Sequence, residues 1–173
     1  SIPFTFLNWN VGNTITINGT ADADIITGSV TRDVLVGGLG ADVLTGGEGN
    51  DDFNFAAGDA VTGEIIDGGA GANTIRLTGA AGSVYDFSGT TIIDVSALRF
   101  VNAGTATMMS AQFALNGIGQ VFGSAGADAL VFNGSDVDLF WTQFYITNGT
   151  WVNGIDSVTI NGTTGADRLF GGQ

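Results

Sequence analysis

From Gly19 onward, apolar and polar positions alternate in blocks of nine. Position eight of each block is large and apolar (Ile26, Leu35, Leu44, Phe53), position six is acidic (Asp24, Asp33, Asp42, Asp51), and position one is glycine (Gly19, Gly28, Gly37, Gly46). A single apolar residue between two outward neighbours describes a three-residue strand. The six residues before it are Gly, Asp, Asn, Ser and Thr in the main, the chemistry of turns. Two nines then close one coil of eighteen residues with two strands and two turns. No single coil buries its apolar residue, so the coils must stack. The pattern predicts an all-β fold.

Past Phe55 the blocks lose their length but not their character. Strands are predicted at 15–17, 74–77, 84–87, 91–95, 98–101, 129–132, 144–146 and 156–160, with a single short helix at 110–115. The chain is read as one solenoid domain over 1–173. Regular repeats fill 19–54, an irregular β-solenoid continuation fills 55–155, and 156–173 resembles the start of a further unit.

Composition sharpens this picture. The 173 residues carry 17 acids and 4 arginines, for a net charge of −13, with no His and no Cys. Of the acids only Glu48 and Glu64 are glutamates. Helical acidic proteins favour Glu, the better helix former, whereas Asp belongs in turns. Without His or Cys there is no serine triad, no thiol nucleophile and no ordinary zinc site. Four scattered arginines do not make a nucleic-acid footprint, and no apolar run is long enough for insertion into a membrane. The pairs Asp136/Asp138 and Asp86/Asp94 carry no sign of a glycosidase cleft, so an enzyme is not expected.

Two consecutive blocks are complete: Gly37-Gly38-Leu39-Gly40-Ala41-Asp42-Val43-Leu44-Thr45 and Gly46-Gly47-Glu48-Gly49-Asn50-Asp51-Asp52-Phe53-Asn54. They resemble the RTX family of calcium-binding nonapeptide repeats, G-G-x-G-x-D-x-(apolar)-x. Echoes follow at 68–76, with Asn73 in the acidic place, at 123–131 with Asp128, and at 162–170 with Asp167. The resemblance implies a right-handed parallel β-roll or β-helix solenoid with Ca2+ as its cofactor. It also implies a bacterial protein exported by type I secretion and folded by external calcium, hence extracellular or at the cell surface.

Calcium takes six to eight oxygen ligands, more than one turn supplies. Two turns stacked on the same side of the coil would supply them, through carbonyls of Gly37, Gly38, Gly40, Gly46, Gly47 and Gly49 and pairs of carboxylates. Same-side pairing joins Asp24 to Asp42 and Asp33 to Asp51. Further on it joins Asp42 to Asp59, and Asp51 to Asp67 or Asn73. Asp22, in a glycine place, is an extra candidate, and Asp128 and Asp167 are candidates in the echoes. The turn at 28–33 lacks the inner glycines and carries Arg32, so it is expected to be a weak site.

A longer period also exists. Residues 13–28 and 156–171 match at eight of sixteen positions, at an offset of 143. Either the chain is one unit of a tandem array plus the start of the next, or it is a complete subunit whose matching ends stack. Both readings predict self-association end to end or contact with neighbouring repeats. The leading expectation is a calcium-stabilised structural repeat of a secreted bacterial surface protein: an adhesin, surface layer or filament. The alternative is a non-catalytic calcium-binding module of a secreted enzyme that binds polysaccharide. Trp9, Trp141, Trp151, Tyr85 and Tyr145 are the aromatic candidates for a glycan, and core packing is their simpler role. The four Asn-Gly-Ser/Thr sites at Asn18, Asn133, Asn148 and Asn161 are read as turns.

Overall fold

One inward residue per strand sets the architecture. In the strand Asp33–Val36, Leu35 is fully buried while its neighbours Val34 and Val36 are half-buried. The structure, a computed structural model, describes residues 14–113, 117–134, 136–138, 145–146, 151–152 and 155–170. The chain winds through β1 (Ile15–Asn18) and β2 (Ile25–Thr27), β3 (Asp33–Val36) and β4 (Val43–Thr45), then β5 (Asp52–Phe55) and β6 (Ile65–Asp67). The next coil gains a strand: β7 (Thr74–Leu77), β8 (Ser83–Asp86) and β9 (Thr91–Ile93). Then come β10 (Ala97–Phe100), β11 (Gly104–Met109) and a 3-10 turn at Ser110–Phe113. After it follow β12 (Gln120–Phe122), β13 (Ala129–Asn133), β14 (Asp136–Asp138), β15 (Tyr145–Ile146), β16 (Ser157–Asn161) and β17 (Arg168–Phe170).

Every strand pairing is parallel, as a solenoid requires. The first sheet runs β1-β3-β5-β7-β10-β12-β15, the second β2-β4-β6-β9, and the third β8-β11-β13-β16, with β14 paired to β17. The first three coils are therefore a two-sided roll, and from β8 the coil has three sides. Register partners in the first sheet lie eighteen residues apart from β1 to β5, then twenty-two or twenty-three apart as far as β12. In the β5–β6 coil the added residues lie in the loop between Phe55 and Ile65, and from β7 onward the longer coils also hold the third strand. The described strands from β6 to β15 thus add to parallel sheets with a changed cross-section, and β6, β11, β12 and β14 lie where no strand was expected.

The core is a set of ladders along the axis. Leu35, Phe53, Ile75, Leu98 and Val121 rise from the first sheet in register, all fully buried. Ile26, Leu44 and Ile66 answer them from the second. Each such side chain contributes about 1.5–3 kcal/mol on leaving water. Beyond β9, the last strand of the second sheet, the 3-10 turn stands between β9 and β14 and touches both. Its buried Gln112 donates to the Phe87 and Thr90 carbonyls at 2.7 and 2.9 Å and accepts from the Met109 amide at 2.8 Å. The predicted helix is this turn, and Leu115 lies outside the described residues.

Asn18, Asn133 and Asn161 are not turn residues but the last residues of β1, β13 and β16. The Asn161 amide donates to Asn133 at 3.1 Å. The internal likeness also has a spatial form: β1 opens the first sheet, but its counterpart β16 closes the third.

Candidate metal centre

Position six immediately precedes a strand at Asp24, Asp42 and Asp51 and opens β3 at Asp33, so strand register stacks these residues in columns. One column is Asp24, Asp42, Glu64 and Thr90, ahead of β2, β4, β6 and β9. A second is Asp33, Asp51, Asn73 and Ser96, read from β3, β5, β7 and β10. A third holds Gly104, Asp128 and Asp156. One rung recurs between coils, in which Oδ1 of the later residue accepts the backbone N–H of the earlier. Asp24 donates to Asp42 at 2.8 Å, Asp33 to Asp51 at 2.8 Å, Asp51 to Asn73 at 2.9 Å and Asp128 to Asp156 at 2.8 Å. The expected pairs Asp24–Asp42, Asp33–Asp51 and Asp51–Asn73 are therefore brought together.

Beyond this rung the turns divide by the residue at position two. In four of them it is Thr or Ser, and its backbone N–H and hydroxyl both donate to the carboxylate four residues on: Thr20 to Asp24, Ser29 to Asp33, Ser124 to Asp128 and Thr163 to Asp167. The same hydroxyl oxygen accepts the N–H two residues on, at 3.1–3.2 Å, from Asp22, Thr31, Gly126 and Gly165. Such a turn satisfies its own carboxylate.

The glycine-glycine turns do not. Asp42 and Asp51 are fully buried, and Oδ2 of each has no hydrogen-bond partner. Gly38 sits at φ 98°, and a Cβ there would lie 1.9 Å from the Thr20 carbonyl oxygen. At Gly37 a Cβ would meet the Asp42 carboxylate at 2.1 Å. Gly40, Gly46, Gly47 and Gly49 repeat these two constraints. A side chain at Gly37 or Gly46 would fill the space in which the free oxygen lies.

Glu64 extends the same chemistry and was missed in the sequence. It is fully buried, and both its carboxylate oxygens lack a partner. The signal was countable: stepping back four residues from Gly68-Gly69 lands on Glu64, position six of its own block. Burial, and next the Asp42 carboxylate, push Glu64 up to about 8 from an ordinary 4.5. Burial, the main cause, raises Asp51 to about 6 and also raises Asp42 and Asp128. An ionised carboxylate left without water or partner is costly, so Asp42, Asp51 and Glu64 require either a proton or a cation.

Asn73 resolves its turn differently. Its amide donates to the Asp94 carbonyl at 3.0 Å and the Gly69 carbonyl at 3.3 Å. An N–H2 group thus occupies carbonyls of a glycine-glycine turn that a cation would otherwise take.

The remaining candidates are dispersed. Asp67 is the last residue of β6, position nine rather than six, and accepts the Gly69 N–H at 3.0 Å; it does not pair with Asp51. Asp59 accepts the Ala56 N–H at 2.7 Å within its own loop, and its charge raises Asp42 and Glu64. Glu64, not Asp59, holds the column place above Asp42. Asp22 is exposed over Gly40. Arg32 leaves its turn to pair with Asp52.

Among the described residues no three acids converge in one cluster. The fit for calcium is therefore the partnerless carboxylate oxygens of Asp42 and Glu64 in one column and of Asp51 in the other, completed by backbone carbonyls of the stacked turns. The hard oxygen-only donor set is that of calcium rather than a transition metal.

Comparison with known families bears on these turns. The RTX calcium-binding nonapeptide repeat matches in four copies, at residues 16–42, 27–61, 63–82 and 158–173. The chain carries RTX calcium-binding repeats. The RTX matches cover the two-sided roll, the glycine-glycine turns with their free carboxylate oxygens, and the final strands. No protein of established function and no solved structure matches the chain. RTX repeats are typical of secreted bacterial proteins, and among the described residues no helix is long and apolar enough to cross a membrane. Of the aromatic candidates, Tyr85 is buried with its hydroxyl accepting the Gly79 N–H at 2.7 Å, and Trp151 packs edge-on against Phe100 at 6.3 Å. Trp9 and Trp141 lie outside the described residues.

Proposed function

We propose that this chain is a calcium-stabilised structural repeat unit of a secreted bacterial surface protein, an adhesin, surface layer or filament, that stacks end to end and performs no catalysis. The observation that carries the calcium half is the set of partnerless, buried oxygens on Asp42, Asp51 and Glu64. Calcium bound there removes the repulsion between stacked carboxylates and adds its binding free energy to folding. The observation behind the assembly half is that the hydroxyl turn of Thr20–Asp24 recurs at Thr163–Asp167, in the matching segment near the other end. The Asp86 carboxylate accepts the Ser88 N–H within its own turn. That supports a structural rather than a catalytic role for Asp86.

Two measurements test this reading. Calorimetric titration of the metal-free chain is expected to show calcium bound at Asp42, Asp51 and Glu64, with loss of binding in the corresponding amide variants. Negative-stain microscopy with calcium is expected to show linear assemblies. A calcium-bound monomer at high concentration would reject the stacking role and leave the calcium role standing.

A further inference from the structure

Four arginines stand among seventeen acids in this chain, and two of them are left beside each other. Arg32 pairs with Asp52. Arg76 reaches the same carboxylate only at 3.9 Å. Arg99 has no carboxylate partner among the described residues; its guanidinium lies 4.1 Å from the centroid of the Phe122 ring. Arg76 on β7 and Arg99 on β10 are register partners, which sets them one strand spacing apart, about 4.8 Å. Both point outward, because Ile75, Leu77, Leu98 and Phe100 on either side of them are buried. Together with Phe100, Val101 and residues 123–125 they line an open groove of about 430 Å³.

Like charges directly opposite on neighbouring strands oppose pairing. In a chain with acids to spare, this pair is left without a close one. We propose that Arg76 and Arg99 form a carboxylate-binding site for the uronate of an acidic saccharide. Two guanidinium forks match a planar carboxylate by paired hydrogen bonds. The turn behind them offers no competing donor from Ser124, since its N–H and hydroxyl are both held by Asp128. The half-exposed Val101 gives the groove an apolar wall for the C–H face of a sugar ring. The net charge of −13 repels densely charged polyphosphates, whereas an acidic saccharide brings one charge per uronate ring. The site is separate from the calcium turns and stands whether or not the stacking role does.

The test is calorimetric titration of the calcium-saturated chain at low salt. The probes are a hyaluronan tetrasaccharide, its carboxyl-reduced counterpart and inorganic phosphate. The tetrasaccharide is expected to bind one to one, and the reduced sugar not to bind. Phosphate is expected to bind at least tenfold more weakly. Arg76→Gln and Arg99→Gln are each expected to raise the tetrasaccharide Kd at least tenfold. Circular dichroism checks that both keep their β signal; if either loses it, Arg76→Lys and Arg99→Lys carry the test, with the same rise expected because lysine lacks the fork. An unchanged Kd in the variants, or phosphate bound as tightly as the sugar, would overturn the proposal.

Discussion

Asp33 and Asp51 occupy the same place in consecutive coils and joined by the same rung, yet their carboxylates live in opposite chemistry. Asp33 receives the N–H and the hydroxyl of Ser29. Asp51 faces Gly46 and Gly47 and keeps one oxygen without any partner. The hydroxyl turn is closed by its own atoms, while the glycine-glycine turn is complete only with a charge from outside. The residue at position two of the block divides the hydroxyl turns, which satisfy their own carboxylate, from the turns of Asp42 and Asp51, which keep an oxygen open to a proton or a cation.

The largest expected effect breaks or keeps this division directly. Two sites held at a hundredfold above their Kd contribute about 5 kcal/mol, so excess chelator at pH 8 should lower Tm by roughly 10–20 °C. An unchanged melting curve would mean that the glycine-glycine turns are as self-sufficient as the hydroxyl ones. Next, Gly38→Ala drives a Cβ into the Thr20 carbonyl and strains a backbone at φ 98°, and should cost about 3 kcal/mol by denaturant unfolding. Thr20, the position-two residue of a hydroxyl turn, keeps ordinary backbone angles, since Asp94 is the only non-glycine residue with positive φ among those described.

The acid–base behaviour separates the classes further. In metal-free protein Asp51 stands near 6 and Glu64 near 8, both above their ordinary values. The folded state then holds protons that the unfolded chain has already released. The stability these groups contribute is full near pH 4 and is lost as pH rises through about 6 and then about 8. Chelated protein should therefore melt several degrees higher at pH 5 than at pH 8, and saturating calcium should remove or invert that slope. A chelated Tm that rose steadily with pH would contradict the burial of these groups.

The smallest effects are the most diagnostic. Asp51→Asn imports the solution used at Asn73, so metal-free Tm should rise by a few degrees while the gain on adding calcium shrinks. Ser29→Ala should cost about 1 kcal/mol equally with and without calcium. If the loss appears only with calcium, Asp33 is a ligand and the division between turn classes is wrong.

Much of this was legible in the chain because nine-residue spacing fixes both the inward residue and the acid before it. The columns at Asp24–Asp42 and Asp33–Asp51 follow from spacing alone. Glu64 escaped because an insertion between Phe55 and Glu64 broke the count, and because Asp59 offered a nearer acid of the expected type. The third side escaped for a different reason. Strand β11 reads Gly-Thr-Ala-Thr-Met-Met, with Ala106 and Met108 as its buried residues, and small inward residues give a weak apolar period. Met108 is the register partner of Phe132, whose ring packs edge-on against Phe113, a neighbour that no local pattern reports.

The placement of β16 carries a geometric consequence. The segment that begins the first sheet at β1 returns, by sequence, on the third sheet, and its companion strand β2 returns as β17 beside β14. The 3-10 turn touches both β9 and β14, so the β14–β17 wall prolongs the side that β2 opened. A chain repeating at this interval would thus keep its second wall and hand the role of its first to its third, so that each unit would begin from a different wall than the last.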